Sequence, residues 1–203
     1  MSKVNLDNIV ESVRRKSSTV ISVDVDNTII YLPIISYINN KFNKNYTDND
    51  FTHWNLSCFP EEIAEDVRYQ FKNPDFMRRT RAFQWAYPTL RDWHASGARI
   101  FAITRRAPNL IRMTYDQLDR EVPGVLEDVL FVNDDESKVK YLKRLGASIH
   151  IDDWDVEDSS RAGINTWLIT NEQTHYNWNL RTNTNISSAL ELKYVKVNDK
   201  KWR

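Results

Sequence analysis

The stretch ISVDVDNTII, residues 21–30, constrains the fold more than any other part of the sequence. Apolar residues lead up to Asp24, a second carboxylate follows at Asp26, and isoleucines resume after it. The apolar run predicts a buried β-strand that ends at Asp24. Because an unpaired buried carboxylate is costly, a partner that compensates the two charges is expected elsewhere in the chain.

From residue 86 onward, predicted helices alternate with short apolar strands. The strands read ARIFAIT, DVLFV, SIHI and NTWLIT, and they lack the apolar and polar alternation of strands with one solvent-facing side. This pattern predicts an α/β fold with a Rossmann-like three-layer core, in which helices cover both faces of a parallel sheet.

Residues 31–83 have a different character. Two predicted helices, ISYINNKF after Pro33 and PEEIAEDVRYQF, flank a polar loop dotted with aromatic residues, and no predicted strand separates them. We therefore predict a small helical cap (31–83) inserted after the first strand of a core domain made of residues 1–30 and 84–203. A short amphipathic helix is also predicted at residues 6–13, ahead of the first strand.

Polar residues lie where the predicted parallel strands end. Because ligands of open parallel sheets bind beyond the carboxyl ends of the strands, these residues are expected to meet at one site. They are Asp24, Asp26 and Thr28 after the first strand, Thr104 at the end of FAIT, Lys138 at the start of the helix ESKVKYLKRLG, and Asp152 with Asp153 in SIHIDD.

The acids in this set indicate metal-dependent phosphoryl chemistry. Three carboxylates around one point repel one another unless a cation joins them, and hard oxygen ligands suit Mg²⁺. One carboxylate could then attack phosphorus while its neighbour handles the proton of the leaving oxygen. Lys138 would offset carboxylate charge, and the Thr104 hydroxyl with nearby backbone N–H groups would hold phosphate oxygens.

The motifs VDVDNT, FAIT, ESKVK and IHIDD, in this order, resemble those of the haloacid dehalogenase-like phosphohydrolases. The resemblance covers most of the chain between the first predicted strand and NTWLIT. It implies an aspartyl-phosphate mechanism with Asp24 as nucleophile, Asp26 as general acid and base, Thr104 as phosphate ligand and Lys138 as charge stabiliser.

The same resemblance implies a Mg²⁺ cofactor. Its ligands would be the Asp24 carboxylate, the Asp26 backbone carbonyl and Asp152, with Asp153 in a supporting role. A closer resemblance is to the 5′(3′)-deoxyribonucleotidase branch, which carries a small helical cap between the first two motifs. That branch implies a nucleoside monophosphate, particularly a deoxyribonucleotide, as substrate.

The chain also departs from the family pattern. Asn27 stands where Gly is frequent, Arg105 follows Thr104 where a small residue is common, and Trp154 follows the acidic pair. The last two are expected near the substrate entrance, so a preference for base or sugar does not carry over.

Further residues are predicted to contact the substrate. Thr28 lies in the first motif, and Arg105 adjoins Thr104. Phe51 and Trp54 of the predicted cap, with Tyr31 just before it, could stack on a nucleobase. Arginines are more often solvated than functional, and this interpretation is retained for Arg106 and for the RRTR cluster at residues 78–81.

Structural interpretations compete with these roles. DVDNT could be a calcium loop, but Gly is absent from the sixth position and Ile35 occupies the twelfth, where Glu is needed. The two acids of DVD could instead be turn or cap residues. Lys140 and Lys143 are alternatives to Lys138, and Asp153 could cap the following helix.

Composition narrows the partners. The 28 basic and 28 acidic residues cancel, so overall charge does not direct the chain to nucleic acid or to a membrane. A single cysteine excludes an internal disulfide, and no apolar run suits a signal peptide or a membrane span. We expect a cytoplasmic protein that binds a small phosphorylated substrate, and a homodimer is left open.

The leading hypothesis is therefore a Mg²⁺-dependent phosphomonoesterase that acts on nucleoside monophosphates. One alternative is a phosphatase for nucleic-acid 3′-phosphate ends or for another small phosphometabolite. A second alternative, from a different class, is a nucleotide-binding protein that keeps the fold without turnover.

Overall fold

The computed structural model describes residues 19–154 and 156–169. The helix predicted at residues 6–13, and the parts of the predicted core domain before residue 19 and after residue 169, lie outside the described residues. The strands are β1 (Val20–Asp24), β2 (Ile30–Tyr31), β3 (Arg81–Ala82), β4 (Arg99–Thr104), β5 (Asp128–Phe131), β6 (Ile149–Asp152) and β7 (Asn165–Leu168). The α-helices are α1 (Ile34–Phe42), α2 (Glu61–Gln70), α3 (Pro74–Arg79), α4 (Ala86–Ala95), α5 (Ile111–Glu121), α6 (Lys138–Leu145) and α7 (Val156–Arg161), with 3₁₀ turns at Asp48–Asp50 and Pro108–Leu110.

Five of the strands form one parallel sheet in the order β5-β4-β1-β6-β7. Every residue of β1, β4 and β6 is buried, as expected for strands covered on both faces. The predicted Rossmann-like α/β fold with a parallel sheet is therefore confirmed.

Strand β1 lies at the centre of this sheet, and the chain changes direction around it. It passes from β1 to β4 and β5 on one side, then returns to β6 and β7 on the other. A crevice opens at the carboxyl ends of the strands where the order reverses in this way. The carboxyl end of β1, which is Asp24, therefore lies at the position where such sheets bind ligands.

The two ends of helix α6 are well defined, and its first residue lies close to that edge. The Ser137 side chain accepts a hydrogen bond from the Val139 N–H at the N-terminus, and Gly146 adopts a left-handed conformation with φ of 69° at the C-terminus. Leu142 and Leu145 are buried against the sheet. Lys138, the first residue of the helix, is thereby held at the end of the helix nearest the strand termini.

The helices α1, α2 and α3 lie in the segment between β2 and β3. These two short strands pair antiparallel, with Ile30 opposite Ala82 and Tyr31 opposite Arg81, and they form a stem at the base of the segment. Neither strand nor α3 was predicted. Strands of two residues carry no readable alternation, whereas α3 does have a start signal, because Asn73 accepts a hydrogen bond from the Asp75 N–H ahead of Pro74.

Across the described ranges, no helix combines the length and the apolar character that crossing a bilayer requires.

Candidate active site

The turn after β1 projects two carboxylates from a compact backbone. The Ile30 N–H donates to the Val25 carbonyl at 2.7 Å, and the Asn27 N–H donates to the Ile30 carbonyl at 2.7 Å. Asn27 adopts φ of 55°, and its side-chain oxygen accepts a hydrogen bond from the Leu32 N–H. Asn is among the few residues other than Gly that tolerate this left-handed conformation, which explains the departure from the family pattern at this position.

Lys138 joins the carboxyl end of β1 to the carboxyl end of β6. Its Nζ lies 2.6 Å from Asp24 Oδ1 and 2.7 Å from Asp152 Oδ2, and all three side chains are buried. Lys140 instead pairs with Glu136 at the surface, at 2.8 Å. The structure therefore brings Lys138, and not Lys140, to the carboxylates.

Asp152 is held from three directions. Its Oδ2 meets the Lys138 ammonium and, at 3.1 Å, His150 Nε2, while its Oδ1 accepts the Trp154 N–H at 2.8 Å. His150 Nδ1 lies 2.9 Å from the Ser22 hydroxyl. Because an ionised carboxylate can only accept, His150 Nε2 donates to Asp152. His150, predicted to be structural, fixes the orientation of this carboxylate.

The charges in this buried cluster do not balance. Asp24, Asp152 and Asp153 face one another with Lys138 among them, so three carboxylates share one ammonium. Burial raises the pKa of Asp24 to about 7, with Lys138 opposing the rise and the other carboxylates adding to it. Burial and the charges of Asp24 and Asp152 also hold the pKa of Asp153 well above its usual range.

Lys138 and Asp152 behave as a tight ion pair within this cluster. Burial acts to lower the pKa of Lys138, but the two carboxylates bonded to it raise that pKa above its ordinary value. Burial acts to raise the pKa of Asp152, but Lys138 and His150 hold it below the usual range. One ammonium thus serves both Asp24 and Asp152, which leaves the three-carboxylate cluster short of positive charge.

The cluster fits a divalent cation. One carboxylate oxygen from each of Asp24, Asp152 and Asp153 lies within 4.8 Å of the other two. An all-oxygen donor set of this kind suits Mg²⁺, whose two charges would offset the carboxylates that Lys138 leaves uncompensated. The contribution of the Asp26 backbone carbonyl stays a prediction.

Two of the predicted substrate-binding residues, Thr104 and Thr28, have buried side chains. Thr104 ends β4, next to β1 in the sheet, and its Oγ1 accepts the Arg106 N–H at 3.2 Å. Thr28 has no exposed surface, and its Oγ1 has no hydrogen-bond partner among the described residues. Substrate contact through Thr28 would require the turn after β1 to open. The predicted substrate contacts of both hydroxyls stay predictions.

Asp26 has a partner that the sequence did not indicate. Arg106 Nε lies 3.1 Å and 3.0 Å from the two carboxylate oxygens, and Nη2 lies 2.7 Å from Oδ1. The Asp26 side chain is 28% exposed, whereas that of Arg106 is 1% exposed. The expectation that Arg106 is solvated is therefore wrong. Thr104 and Arg106 are separated by the same two-residue interval as Asp24 and Asp26, but this interval alone does not predict the contact, because Arg106 lies in the loop after β4.

Arg105 contacts the loop that precedes α6. Its Nη1 donates to the carbonyl oxygens of Asn133, Asp134 and Glu136, at 3.1, 3.3 and 2.6 Å. These residues form the loop that leads to α6. This donor holds the loop, and through the loop Arg105 supports the position of Lys138. The predicted substrate contact of Arg105 stays a prediction.

The aromatic residues predicted to stack on a nucleobase separate into two groups. Phe51 is 1% exposed and packs against Phe59, with ring centroids 5.3 Å apart. Its ring has no free face, so the predicted stacking role of Phe51 is wrong. Tyr31, at the start of the segment, packs against Phe83 with ring centroids 5.5 Å apart. Phe51 was misplaced because nothing in a loop sequence distinguishes an inward from an outward aromatic.

Trp54, by contrast, is 54% exposed. Its ring meets Trp154 with centroids 5.2 Å apart. Trp154 also donates its backbone N–H to Asp152, so this aromatic pair adjoins the carboxylate cluster. Trp54 is thus a predicted substrate-contacting residue that the structure leaves accessible, and its companion is Trp154, which was expected near the substrate entrance.

Comparison with known proteins bears on the fold. No protein-family model matches the sequence, and no curated protein matches it. Solved structures do match. A HAD family hydrolase from Deinococcus radiodurans R1, with bound phosphate and sodium, has a TM-score of 0.55 and 12% identity over 79% of this chain and 84% of that one.

Two further structures extend the comparison. The L-2-haloacid dehalogenase RSc1362 has a TM-score of 0.57 and 15% identity over 89% of this chain and 99% of its own. A predicted phosphatase from Clostridium acetobutylicum has a TM-score of 0.55 and 15% identity over 88% and 98%. At these identities the likeness shows the fold, which is that of haloacid dehalogenase-like hydrolases. The resemblance to the deoxyribonucleotidase branch stays a prediction.

Proposed function

We propose that this chain is a metal-dependent phosphomonoesterase that works through an aspartyl-phosphate on Asp24. The observation that carries the proposal is the buried junction of Asp24, Lys138 and Asp152, at 2.6 and 2.7 Å, at the ligand-binding edge of the sheet. Strongly perturbed carboxylates in such a position are typical of reacting groups.

The proposed reaction has two steps, each with an assigned proton. A carboxylate oxygen of Asp24 attacks phosphorus, the bond from phosphorus to the leaving oxygen breaks, and Asp26 gives its proton to that oxygen. Water then attacks the aspartyl-phosphate and Asp26 takes a proton from it. The bond from phosphorus to Asp24 breaks, and inorganic phosphate leaves.

The other buried groups position the reacting groups and offset their charges during these steps. Lys138 keeps Asp24 in place and offsets its charge, while His150 and the Trp154 N–H keep Asp152 directed at the cluster. Asp24, Asp152 and Asp153 would hold Mg²⁺. When bound, the ion supplies positive charge against the phosphoryl oxygens. The Thr104 hydroxyl is proposed to hold one of those oxygens.

The fold alone does not decide between phosphoryl and haloalkyl chemistry, because folds host several reactions. The second carboxylate favours phosphoryl transfer. A halide leaves as an anion and needs no proton, whereas the alkoxide of a phosphate ester needs one from a group such as Asp26. The mutually repelling acids also suit a reaction in which a cation and a phosphoryl group enter together.

For the substrate we propose a nucleoside monophosphate. Its support is the exposed ring of Trp54 against Trp154 beside the carboxylates, since a tryptophan face suits a planar base. We also propose that residues 31–83 act as a cap that limits access to small esters. Oligonucleotides with 3′-phosphate ends are the alternative substrates, and a nucleotide-binding protein without turnover is the alternative function.

The test is phosphate release from p-nitrophenyl phosphate and from ribo- and deoxyribonucleoside 5′- and 3′-monophosphates, with Mg²⁺ and with EDTA. We expect turnover that requires Mg²⁺, that Asp24→Asn abolishes, and that the exposed-site control Asp119→Asn retains. A 3′-phosphorylated oligonucleotide tests the alternative substrate. Nucleotide binding without phosphate release from any ester would identify a binding protein and overturn the proposal.

A further inference from the structure

The guanidinium of Arg106 is charged and buried, and the proposed reaction assigns it no role. Its side chain is 1% exposed, and a guanidinium is costly to bury unless its donors are satisfied. Two of its nitrogens donate to the Asp26 carboxylate, and the third, Nη1, donates to Thr114 Oγ1 at 3.1 Å and to Gln117 Oε1 at 2.7 Å. Both of the latter acceptors lie on α5. Arg106 therefore bridges this helix and the exposed carboxylate.

Gln117 continues the bridge to the returning end of the segment at residues 31–83. It is buried, and its Nε2 donates to the Met77 carbonyl at 2.9 Å, to the Thr80 carbonyl at 3.1 Å and to Thr80 Oγ1 at 2.8 Å. The opposite amide orientation would set its nitrogen against the guanidinium and its oxygen against two carbonyls. The surroundings therefore allow one orientation.

We propose that Arg106 is a positioning residue for Asp26, and that Gln117 couples this position to residues 77–80 at the base of the cap. The inference rests on the proposed function. A planar guanidinium that meets a carboxylate through two nitrogens fixes the plane of that carboxylate as well as its distance. Asp26 is partly exposed, so without Arg106 its carboxylate would rotate between solvent and the site.

The same residue also reaches the phosphate side of the site. The Arg106 N–H donates to Thr104 Oγ1, while its side chain holds Asp26. A single residue thus sets the hydroxyl proposed to hold a phosphoryl oxygen and the carboxylate proposed to move the proton. Proton transfer requires the two heavy atoms at hydrogen-bond distance, and so it is sensitive to this placement.

The leaving group separates this role from a merely structural one. An alkoxide, as from glycerol phosphate, needs a proton as its bond to phosphorus breaks, whereas p-nitrophenolate leaves as an anion without one. A displaced Asp26 should therefore slow the alkyl ester far more than the aryl ester. The ratio of the two kcat/KM values is also independent of the folded fraction of a variant, so partial unfolding does not imitate the effect.

The experiment measures this ratio, alkyl over aryl, in Arg106→Lys and Gln117→Leu. We expect Arg106→Lys, which keeps the charge but not the two-nitrogen contact, to lower the ratio about tenfold or more. Gln117→Leu, which touches no reacting atom, should lower the ratio about threefold. The matched control is Arg99→Lys, which replaces a buried arginine at the start of β4 that pairs with Glu127 and should leave the ratio unchanged.

The outcomes are distinct. Equal losses on both esters in Arg106→Lys and Gln117→Leu overturn the positioning role but leave the proposed phosphatase standing. A wild-type protein that cleaves neither ester overturns the proposed function and this inference together. In an Asp26→Asn background, Arg106→Lys should no longer change the ratio. A further fall there would mean that Arg106 acts on the reaction by another route.

Discussion

Asp24 and Asp26 are separated by one residue, yet they lie in opposite surroundings. Asp24 is buried and bonded to Lys138, whereas Asp26 is partly exposed and paired with Arg106. Lys138 connects Asp24 to another strand end of the sheet, while Arg106 connects Asp26 to α5 and, through Gln117, to Met77 and Thr80. Asp24 is thus buried at the end of the sheet, whereas Asp26 is held by Arg106 and remains partly exposed to solvent. This difference suits the proposed nucleophile and the proposed proton carrier.

The largest differences between the two carboxylates are expected when each is removed in turn. Asp24→Asn should lower kcat about 10³-fold or more on every ester, because no nucleophile remains. Asp26→Asn should still transfer one phosphoryl group from p-nitrophenyl phosphate, because that leaving group needs no proton. Stopped-flow measurements should then show a burst of about one nitrophenolate per chain, followed by slow turnover. A burst in Asp24→Asn would contradict the assignment.

The next test compares two lysines on α6. Lys138→Met leaves buried carboxylates without their cation and should reduce the free energy of unfolding by about 3–5 kcal/mol. Lys140→Met removes an exposed partner of Glu136 and should change it by no more than about 0.5 kcal/mol. Urea denaturation at neutral pH measures both. Similar losses in the two variants would mean that the buried cluster does not depend on Lys138.

A third test uses pH to probe the buried half of the comparison. Burial raises the folded-state pKa of Asp24 from 3.8 to about 7, so the folded protein binds this proton more tightly than the unfolded chain. Without a divalent ion, this contribution to stability is complete below the unfolded pKa and is lost as pH rises through about 7. Burial also raises the folded-state pKa of Asp153, so its contribution depends on pH in the same direction.

Bound Mg²⁺ should stabilise the folded protein at the pH values where these carboxylates have lost their protons. Thermal unfolding with and without the ion should therefore show a larger Mg²⁺-induced rise in Tm at about pH 8 than at about pH 5. The Asp152→Asn variant should lose most of this difference, whereas Asp119→Asn should keep it. A rise in Tm that does not depend on pH would argue against Mg²⁺ binding at the perturbed carboxylates.

The smallest expected effect concerns the outer edge of the site. Trp54→Ala should raise the KM for a nucleoside monophosphate about threefold to tenfold, since it removes one stacking face. It should leave the KM for glycerol phosphate unchanged. Tyr69→Ala, which removes another exposed aromatic side chain of the predicted cap, is the matched control. Equal changes for both esters would indicate that Trp54 does not contact a base.

The same contrast explains what the sequence could predict. The positions of Asp24, Thr104 and Asp152 follow from a simple rule, because apolar runs identify buried strands and parallel strands end at one edge. Lys138 follows from its place at the start of a helix. These residues belong to regular elements, whose geometry a short stretch of sequence largely determines.

The partners of Asp26 could not be predicted in that way. Arg106 lies in a loop, and Gln117 lies on a helix whose rotation depends on tertiary packing. The contact of Gln117 with Met77 and Thr80 joins parts of the chain that are distant in sequence. Phe51 shows the same limit, because hydrophobic packing within residues 31–83 decides which loop aromatics turn inward. Loop and interface positions depend on side-chain packing, which sequence periodicity does not encode.

The antiparallel stem of β2 and β3 has a consequence for how a phosphatase of the proposed kind would diversify. Because Ile30 and Ala82 are direct neighbours, the chain leaves and re-enters the sheet domain at nearly one point. Whatever lies between can lengthen, shorten or be exchanged while the ends of β1, β4 and β6 keep their places. Selection can thus reshape the choice of ester in one stretch of the gene and leave the bond-breaking groups, encoded on either side of it, unchanged.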